Sequence, residues 1–399
     1  MSVRRFLSPG AAGVPHAAGF GALASDPGAA VSSTVPPSPI VKPLLPAWFV
    51  DHGSNAEMRW DSVSSRDYRT PNERFFVRDH TSTPLIDAKT WRLRIFGSGL
   101  RDALDLEHAI EFDYRQLRAL PSHEIEAFIE CAGNGRRYFA SQQGTPTPGT
   151  PWGLGAIGLA RWRGVQLSQV LHRAGIRDDA VDVMPQGLDA SYVCAGVDHG
   201  RVRRPLPVQK ALDDVLLAYE MNGEPLPPDH GFPVRLVVPG WVGVASIKWV
   251  GQIEVSDRPL TSPWDTTWYR FTGPDYPDGS PLTTPTVRSA FELAWDARLP
   301  VGVVTTLTGR SWSGNAPIRR VDISTDGGRQ WQPAHLHGPN RRDGWVRWQL
   351  PWRPTTPGPH ALMARAVDED GAEQPGTVPY NDGGYMFWAV VRHPVTVTG

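Results

Sequence analysis

The strongest constraint on the fold is a change in residue pattern near position 280. From there on the chain consists of short segments in which apolar and polar residues alternate, such as IRRVDIS and GWVRWQLPW. Gly, Pro and Asp-Gly turns separate these segments at intervals of roughly ten to twenty residues, which is typical of a β-sandwich. The stretch STDGG at Ser324–Gly328 indicates a hairpin. We therefore predict an all-β domain over 279–399.

The residues before this domain mix strand and helix patterns. WRLRIFG and FPVRLVVPG are β-like, whereas VQLSQVLHRAG has apolar residues at helical spacing and a glycine that ends it at Gly175. This pattern predicts an α+β domain over 46–278. Residues 1–45 are rich in Ala, Gly, Ser and Pro, and we expect them to form a flexible N-terminal arm.

Composition limits the function classes. With 399 residues, 20% charged residues and a net charge of -1, the chain has no overall attraction to nucleic acid, and no segment approaches the ~18 apolar residues of a membrane span. The start, MSVRRFLS, offers the paired arginines of a twin-arginine export signal. The apolar stretch behind them is interrupted by proline, which favours the cytoplasm over export to the periplasm or exterior.

The cysteines are only two, Cys131 and Cys194, which excludes a disulfide framework, a CxxC metal knuckle and a CxxCH haem site. Cys131 follows the β-like run EIEAFIE and precedes the turn AGNGRR. We expect this turn to expose the thiol, and Arg136 and Arg137 to favour the thiolate, which acts as a nucleophile or binds a soft metal. The alternative is a small buried core residue.

A second group of residues predicts an anion site. His230 lies in a Pro-Asp-His-Gly turn, Arg235 on the apolar strand that follows, and Lys248 after another glycine-containing loop. Cationic side chains with backbone N–H groups between them suit a phosphorylated cofactor. The sequence has neither GxxxxGK[ST] nor GxGxxG at a strand-to-helix junction, so the nucleotide motifs are excluded. The alternative is a set of surface charges at strand ends.

Several stretches together resemble the sulfite oxidase family of molybdenum enzymes, in its haem-free bacterial form. They are ECAGNGRR, PWGLGAIGLARWRGVQLSQVL, LLAYEMNGEPLPPDHGFPVRLVVPGWVG and GRSWSGNAPIRRVDISTDGGRQW, and the resemblance runs from about residue 50 to about 395. It implies an α+β domain that binds molybdenum through a pyranopterin (molybdopterin), followed by an immunoglobulin-like domain that forms a homodimer. It also implies that Cys131 is the protein's thiolate ligand to molybdenum.

The resemblance assigns the remaining site residues by matching motif. The cofactor contacts it implies are Phe75, Phe76, Val77, Arg78, Asp79, Cys131, Asp189, His230, Arg235, Ser246, Ile247 and Lys248. The catalytic residues it implies are Cys131, Arg78, Arg136, Trp152 and Tyr269. Arginine suits a small oxyanion because its planar guanidinium binds two oxygens at once and stays charged.

Two departures from the family pattern bear on the substrate. Gly383 and Ala245 stand where the family has arginines, so the pocket has fewer cations to hold a dianion. The segment DHGRVRRP could compensate, through His199, Arg201, Arg203 and Arg204.

The function implied is oxidation of sulfite, or a related small sulfur oxyanion, with electrons passed to an external acceptor such as a cytochrome c and no haem on this chain. Three alternatives stay open. The same cofactor could serve another substrate or work as a reductase. Cys131 could be the nucleophile of a cofactor-free hydrolase, with His80 or His230 as the base. The chain could also be a binding or adhesion protein.

Overall fold

The computed structural model describes residues 38–399. The helices are α1 Tyr114–Arg118, α2 Arg137–Gln143, α3 Leu167–Arg173, α4 Val208–Asp213 and α5 Pro263–Thr266, with 3-10 turns at Trp60–Ser62, Asn72–Arg74, Pro228–His230 and Gly243–Ala245. None of the helices in the described range is long and apolar enough to cross a membrane. The paired arginines near the start lie outside that range.

The strands of the first part of the chain are short. They are β1 Phe49–Asp51, β2 Asn55–Met58, β3 Val77–Arg78, β4 Arg92–Phe96, β5 Ile110–Asp113, β6 His123–Glu130, β7 Ile157–Gln166, β8 Asp182–Gly187, β9 Val193–Cys194, β10 Val197–Asp198, β11 Leu206–Pro207, β12 Leu216–Met221, β13 Glu224–Pro225, β14 Arg235–Val237, β15 Val250–Ser256, β16 Arg270–Phe271 and β17 Ser280–Pro281.

The last part of the chain contains strands only. They are β18 Arg288–Phe291, β19 Ala297–Pro300, β20 Thr305–Trp312, β21 Ile318–Ser324, β22 Gln332–Pro333, β23 His335–His337, β24 Trp345–Trp352, β25 Gly358–Asp368 and β26 His393–Thr398.

Two five-stranded sheets carry the first part. One has the order β11-β8-β15-β4-β5, and the other β13-β12-β7-β6 with β14 joined to β12. The pairing of β15 with β4 is parallel, which joins two strands that lie far apart in sequence. The predicted helix is confirmed as α3, whose Leu167, Val170 and Leu171 are buried and whose pattern ends at Gly175, at a φ of 78° that suits glycine.

The last part forms the predicted sandwich. A four-stranded sheet, β18-β20-β24-β23, and a five-stranded sheet, β19-β26-β25-β21-β22, share a core of alternating apolar residues. The STDGG stretch connects β21 to β22, and the Ser324 hydroxyl accepts a hydrogen bond from the Gly328 N–H at 2.8 Å. Gly327 and Gly328 both have positive φ, which explains the glycine pair.

The end of the predicted arm is packed against the folded part. Ile40 is buried, and the N–H groups of Val41 and Lys42 donate to the carboxylate of Asp229 at 2.8 Å each. Residues 38–45 therefore differ from the flexible arm expected from their composition. A buried carboxylate that requires donors holds this segment in place. Residues 1–37 of the arm lie outside the described range.

Candidate active site

Cys131 directly follows strand β6. Its N–H donates to the Ala156 carbonyl on the neighbouring chain segment at 2.9 Å, and its carbonyl accepts from the Asn134 N–H at 2.9 Å. The expectation of an exposed thiol is wrong, because Cys131 is only 6% exposed. It packs in an aromatic cluster that includes Phe76 and Phe128. The turn instead aims the residue into two adjoining cavities, both of which Cys131 lines.

A buried polar group fixes this turn. The Asn134 side chain donates to Glu130 at 2.8 Å and accepts from the Ala156 N–H at 3.0 Å. Arg288, from strand β18, pairs with Glu130 at 3.0 Å and donates to the Asn134 carbonyl at 2.6 Å. Burial raises the pKa of Glu130, and the Arg288 charge opposes that rise. Sequence reasoning missed Arg288, whose position in the strand pattern carries no sign of this contact.

The two arginines of the turn point in different directions. Arg136 is buried and lines the second cavity, where its Nε donates to the Gly383 carbonyl at 3.1 Å and its Nη1 to the Thr150 carbonyl at 2.9 Å. Arg137 is exposed, and its guanidinium lies 5.6 Å from the ring centre of Trp295. The expectation that Arg137 acts on Cys131 is therefore wrong. Arg137 begins helix α2, which turns its side chain away.

The first cavity gathers most of the residues expected to contact a cofactor. Of the twelve, all but Val77 line it. The Val77 side chain packs instead with Ile40, Phe49 and Ala56, because successive side chains on a strand point to opposite faces. Residues from β3, the 3-10 turns and the loops between β14 and β15 thus converge on one cavity beside Cys131.

The cations of the first cavity are buried. Lys248 pairs with Asp79 and donates to the Asp229 carbonyl at 2.7 Å, while Arg235 donates to the His230 carbonyl at 3.0 Å and the Ser246 carbonyl at 3.1 Å. Burial lowers the pKa of Arg235 to about 9 and that of His230 well below its usual value. The alternative of surface charges at strand ends is therefore wrong.

Lys42 is a further cation that sequence reasoning missed. Its Nζ lies 3.1 Å from Nε2 of His230 and also donates to the Phe75 carbonyl. Burial lowers the pKa of Lys42 to about 7, although the Asp229 charge acts in the opposite direction. One signal could have found it, because the chain has only four lysines among its 40 basic residues.

The second cavity opens from the first and has a volume of about 520 Å³. Arg78, Asp79, His80, Cys131 and Tyr269 line both. Nη2 of Arg78 donates to the Tyr269 hydroxyl at 3.2 Å and to Nε2 of His80 at 3.0 Å, and Trp264 donates to the same nitrogen at 3.1 Å. Burial, followed by the Arg78 charge, lowers the pKa of His80 well below its usual value, so the ring is neutral and accepts these bonds.

Several expectations for the substrate pocket differ from the structure. Trp152 is fully buried against His52 and Phe76 and lines neither cavity, because the loop before it carries Gly149 and Thr150 into the lining instead. None of the four candidate compensating residues lines either of these two cavities, and the Arg204 guanidinium donates instead to the carbonyls of Trp264 and Leu282. Aromatic and thiol side chains that sequence reasoning missed are present instead, namely Tyr192, Cys194, Trp268 and Tyr385.

Comparison with known proteins shows the family of this chain. The family model for the oxidoreductase molybdopterin binding domain matches residues 80–264, and that for the Mo-co oxidoreductase dimerisation domain matches residues 289–397. The chain is 36% identical to sulfite oxidase of Gallus gallus over 345 residues, which cover 81% of this chain and 72% of that protein. The chain belongs to the sulfite oxidase family.

Further similarities of sequence and structure support the assignment to the sulfite oxidase family. Mitochondrial sulfite oxidase of Mus musculus is 36% identical over 329 residues, and the match spans 78% of this chain but only 58% of that protein. The crystal structure of the sulfane dehydrogenase SoxCD from Paracoccus pantotrophus superposes with a TM-score of 0.73 and 28% identity, covering 92% of both chains. The predicted fold class and the molybdopterin-dependent oxidoreductase class are confirmed. The exact domain boundaries at 46, 278 and 279 stay a prediction.

The first cavity fits the molybdopterin that the sulfite oxidase family binds. Oδ1 of Asp189 is buried there with no hydrogen-bond partner among the described residues, and burial raises the pKa of this carboxyl to about 6. A pterin ring carries N–H donors of the kind that such an oxygen needs. Lys248 and Arg235 line this cavity and supply the positive charge that a phosphate requires, and Lys42 lies outside the lining, in contact with His230.

Proposed function

We propose that this protein oxidises sulfite, or a related small sulfur oxyanion, by two electrons in a molybdopterin-dependent reaction. One observation carries the proposal. Cys131 lines both cavities: the pterin-compatible residues line the first, Arg136 lines the second, and Arg78 lines both. The named sulfite oxidases among the relatives support sulfite as the substrate.

The cofactor would be held by the chain as follows. The Cys131 thiolate would bind molybdenum, for which a soft sulfur ligand is suited. Asp189 would accept hydrogen bonds from the pterin, and His230, Arg235 and Lys248 would hold its phosphate, with Lys42 supporting His230. When bound, this group supplies a two-electron centre for oxygen transfer.

The side chains of the second cavity would position the substrate. Arg78 and Arg136 would bind sulfite oxygens through charge-assisted hydrogen bonds and keep the sulfur turned towards Cys131. The reaction balances as SO3²⁻ + H2O → SO4²⁻ + 2 H⁺ + 2 e⁻. The Tyr269 hydroxyl, 3.4 Å from the neutral His80 ring, would pass one of these protons along.

The competing functions receive less support. Neither His80 nor His230 is hydrogen-bonded to Cys131 within residues 38–399, so the cysteine has no base of the kind a hydrolase needs. Family membership favours an oxidoreductase over a binding or adhesion protein. A different substrate or the reductase direction remains compatible with the same residues.

The electrons would leave to a separate protein such as a cytochrome c, which the assay below tests as acceptor. The dimerisation domain supports a homodimer as the working assembly.

The experiment is a steady-state assay with sulfite on protein shown to contain molybdenum, using ferricyanide and cytochrome c in turn. We expect turnover with about one molybdenum per chain, and near-complete loss of activity in Cys131→Ser. Molybdenum-loaded protein that turns over no sulfite would contradict sulfite as the substrate. Sulfite turnover by the metal-free protein would contradict the molybdopterin mechanism.

The two neighbouring arginines offer a matched pair for the substrate role. Arg136→Ala removes a guanidinium from the cavity, so we expect kcat/KM for sulfite to fall on the order of 10- to 100-fold. Arg137→Ala removes an exposed guanidinium that faces Trp295, so kcat/KM stays within about 2-fold of the wild type. Equal effects of the two substitutions would contradict the assignment of Arg136.

A further inference from the structure

The second cavity is larger than a sulfite ion requires. Its volume of about 520 Å³ lies within the ~300–1,000 Å³ typical of sites that enclose drug-sized molecules. The end beside Cys131 would hold the molybdenum, and sulfite, a single sulfur with its oxygens, would need little of the space next to it. The part of the cavity lined by residues that do not line the first cavity, among them Tyr192, Trp268 and Tyr385, is then available to a further group on the substrate.

Aromatic rings form the wall of that remaining space. Tyr192 and Trp268 pack edge to face with ring centres 5.5 Å apart, and Tyr269 and Tyr385 stack at 5.4 Å with an angle of 20° between their planes. All four line the cavity. Such a wall binds apolar and aromatic groups through dispersion and ring contacts and gives little to a compact hydrated anion.

The Tyr385 ring leaves no room for a charged side chain at position 383 of this wall. A Cβ atom added at Gly383 would lie 2.2 Å from that ring, so no larger residue fits at 383 while Tyr385 keeps this position. The Arg136 guanidinium lies 5.3 Å from the same ring centre and already donates through Nε and Nη1 to carbonyls. Only its Nη2 is left without a protein acceptor among the described residues.

The guanidinium groups that line the cavity are largely engaged by the protein. Arg78 and Arg136 line it, and the carboxylate of Asp79, which also lines it, is already paired with Lys248. Arg78 donates to the Asp79 carbonyl, to the Tyr269 hydroxyl and to the His80 ring, which is neutral and adds no charge. Few donors are left free, and a substrate group with two oxygens needs fewer of them than sulfite, which has three.

We infer that the preferred substrate is an organosulfinate, R–SO2⁻, in which R is an aryl group. This inference rests on the proposed function and narrows its substrate. A sulfinate keeps the pyramidal sulfur and lone pair of sulfite, carries one negative charge, and replaces one oxygen with carbon. Its SO2⁻ group fits between Arg78 and Arg136, and its ring fits against Trp268 and Tyr192. The reaction balances as R–SO2⁻ + H2O → R–SO3⁻ + 2 H⁺ + 2 e⁻, with the electrons passing to the same one-electron acceptor.

The test compares benzenesulfinate, methanesulfinate and sulfite as substrates of the molybdenum-loaded protein, with ferricyanide as acceptor. We expect kcat/KM for benzenesulfinate to exceed the values for the other two by about 10-fold or more, and the product to be benzenesulfonate by mass spectrometry. Turnover of sulfite without turnover of benzenesulfinate overturns this inference and leaves the proposed function standing. Turnover of none of the three overturns both.

A pair of tryptophan variants tests the aromatic wall. Trp268→Ala removes a cavity ring, so we expect the ratio of kcat/KM for benzenesulfinate to that for methanesulfinate to fall about 3- to 10-fold. The matched control is Trp295→Ala, since Trp295 is 41% exposed and lies outside the cavity, and this ratio stays unchanged.

Binding of the product gives a second readout. Benzenesulfonate should compete with the substrate at a concentration at least about 10-fold lower than sulfate does. An unchanged ratio in Trp268→Ala, or equal inhibition by sulfate and benzenesulfonate, overturns the inference.

Discussion

Asp189 has a buried carboxylate oxygen without a hydrogen-bond partner in the part of the chain that the structure describes. Folding the cofactor-free chain therefore places an acceptor where no protein donor meets it, which is energetically costly. Burial accordingly raises the pKa of this carboxyl from 3.8 to about 6. Asp189 therefore has an acceptor atom that no protein donor satisfies, and its ionisation makes the stability of the cofactor-free protein depend on pH.

The Asp189 pKa predicts a specific pH profile. Between about pH 4 and 6 the folded chain keeps a proton that the unfolded chain has released, so the free energy of unfolding falls as pH rises. Asp189→Asn cannot ionise. In the cofactor-free protein we expect it to be about 2–3 kcal/mol more stable than the wild type at pH 8, and equal to it near pH 4, by urea denaturation. The exposed Asp370→Asn should change stability by less than about 0.5 kcal/mol at either pH. A gain for Asp189→Asn that is the same at both pH values would contradict this account.

At the scale of elements, the cysteine turn depends on a strand from the other domain. Arg288 of β18 and Glu130 at the end of β6 are 1% and 2% exposed at their side chains, and they form an ion pair at 3.0 Å. The same guanidinium donates to the Asn134 carbonyl within the turn. The position of Cys131 is therefore set by β6, by the turn and by β18 together.

Removing one partner of this pair leaves the other charge buried and uncompensated. We expect Arg288→Ala to lower the free energy of unfolding by about 3–5 kcal/mol. Glu130→Gln in the same chain should recover part of that loss, because no buried carboxylate would then remain. The control is Arg94→Ala, whose partner Glu111 is 44% exposed, and it should cost less than about 1 kcal/mol. Similar costs for Arg288→Ala and Arg94→Ala, measured by chemical denaturation, would argue against a structural role for the buried pair.

At the scale of the whole molecule, one core joins the two predicted domains. The Trp60 ring packs against Trp312 at 6.0 Å and Trp345 at 5.8 Å, and all three belong to the cluster that contains Cys131. Trp312 also donates to Glu130 at 3.0 Å. The apolar surface between the domains is thus part of the site's own support.

This shared core predicts cooperative unfolding. We expect the cofactor-free chain to lose helix and strand signal in the far-ultraviolet and tryptophan packing in the near-ultraviolet in one coincident thermal transition. The physical reason is that separating the domains would expose several large aromatic rings to water. Two resolved transitions, one for each domain, would show that the cluster contributes little to the coupling.

Sequence periodicity was sufficient for the elements, because it reflects local geometry. The spacing of Leu167, Val170 and Leu171 predicted α3, and the glycines at 327 and 328 predicted a turn that requires positive φ. Motif resemblance went further: of the twelve residues that it assigned to the cofactor, eleven line one cavity. The prediction for Val77 was wrong because a motif does not tell which side chains of a strand face the cavity.

The sequence by itself determined the family and the fold class, and it named eleven of the residues that line the first cavity, since these follow from local patterns and from stretches shared with relatives. Only the tertiary structure decided three further points. Arg136 and not Arg137 lines the second cavity with Cys131, Lys42 contacts His230 and Arg288 pairs with Glu130. Tyr385 and Trp268, rather than Trp152, line the second cavity. These outcomes depend on contacts between segments far apart in the chain. Burial and side-chain direction at such contacts are set by packing in three dimensions, which no local pattern records.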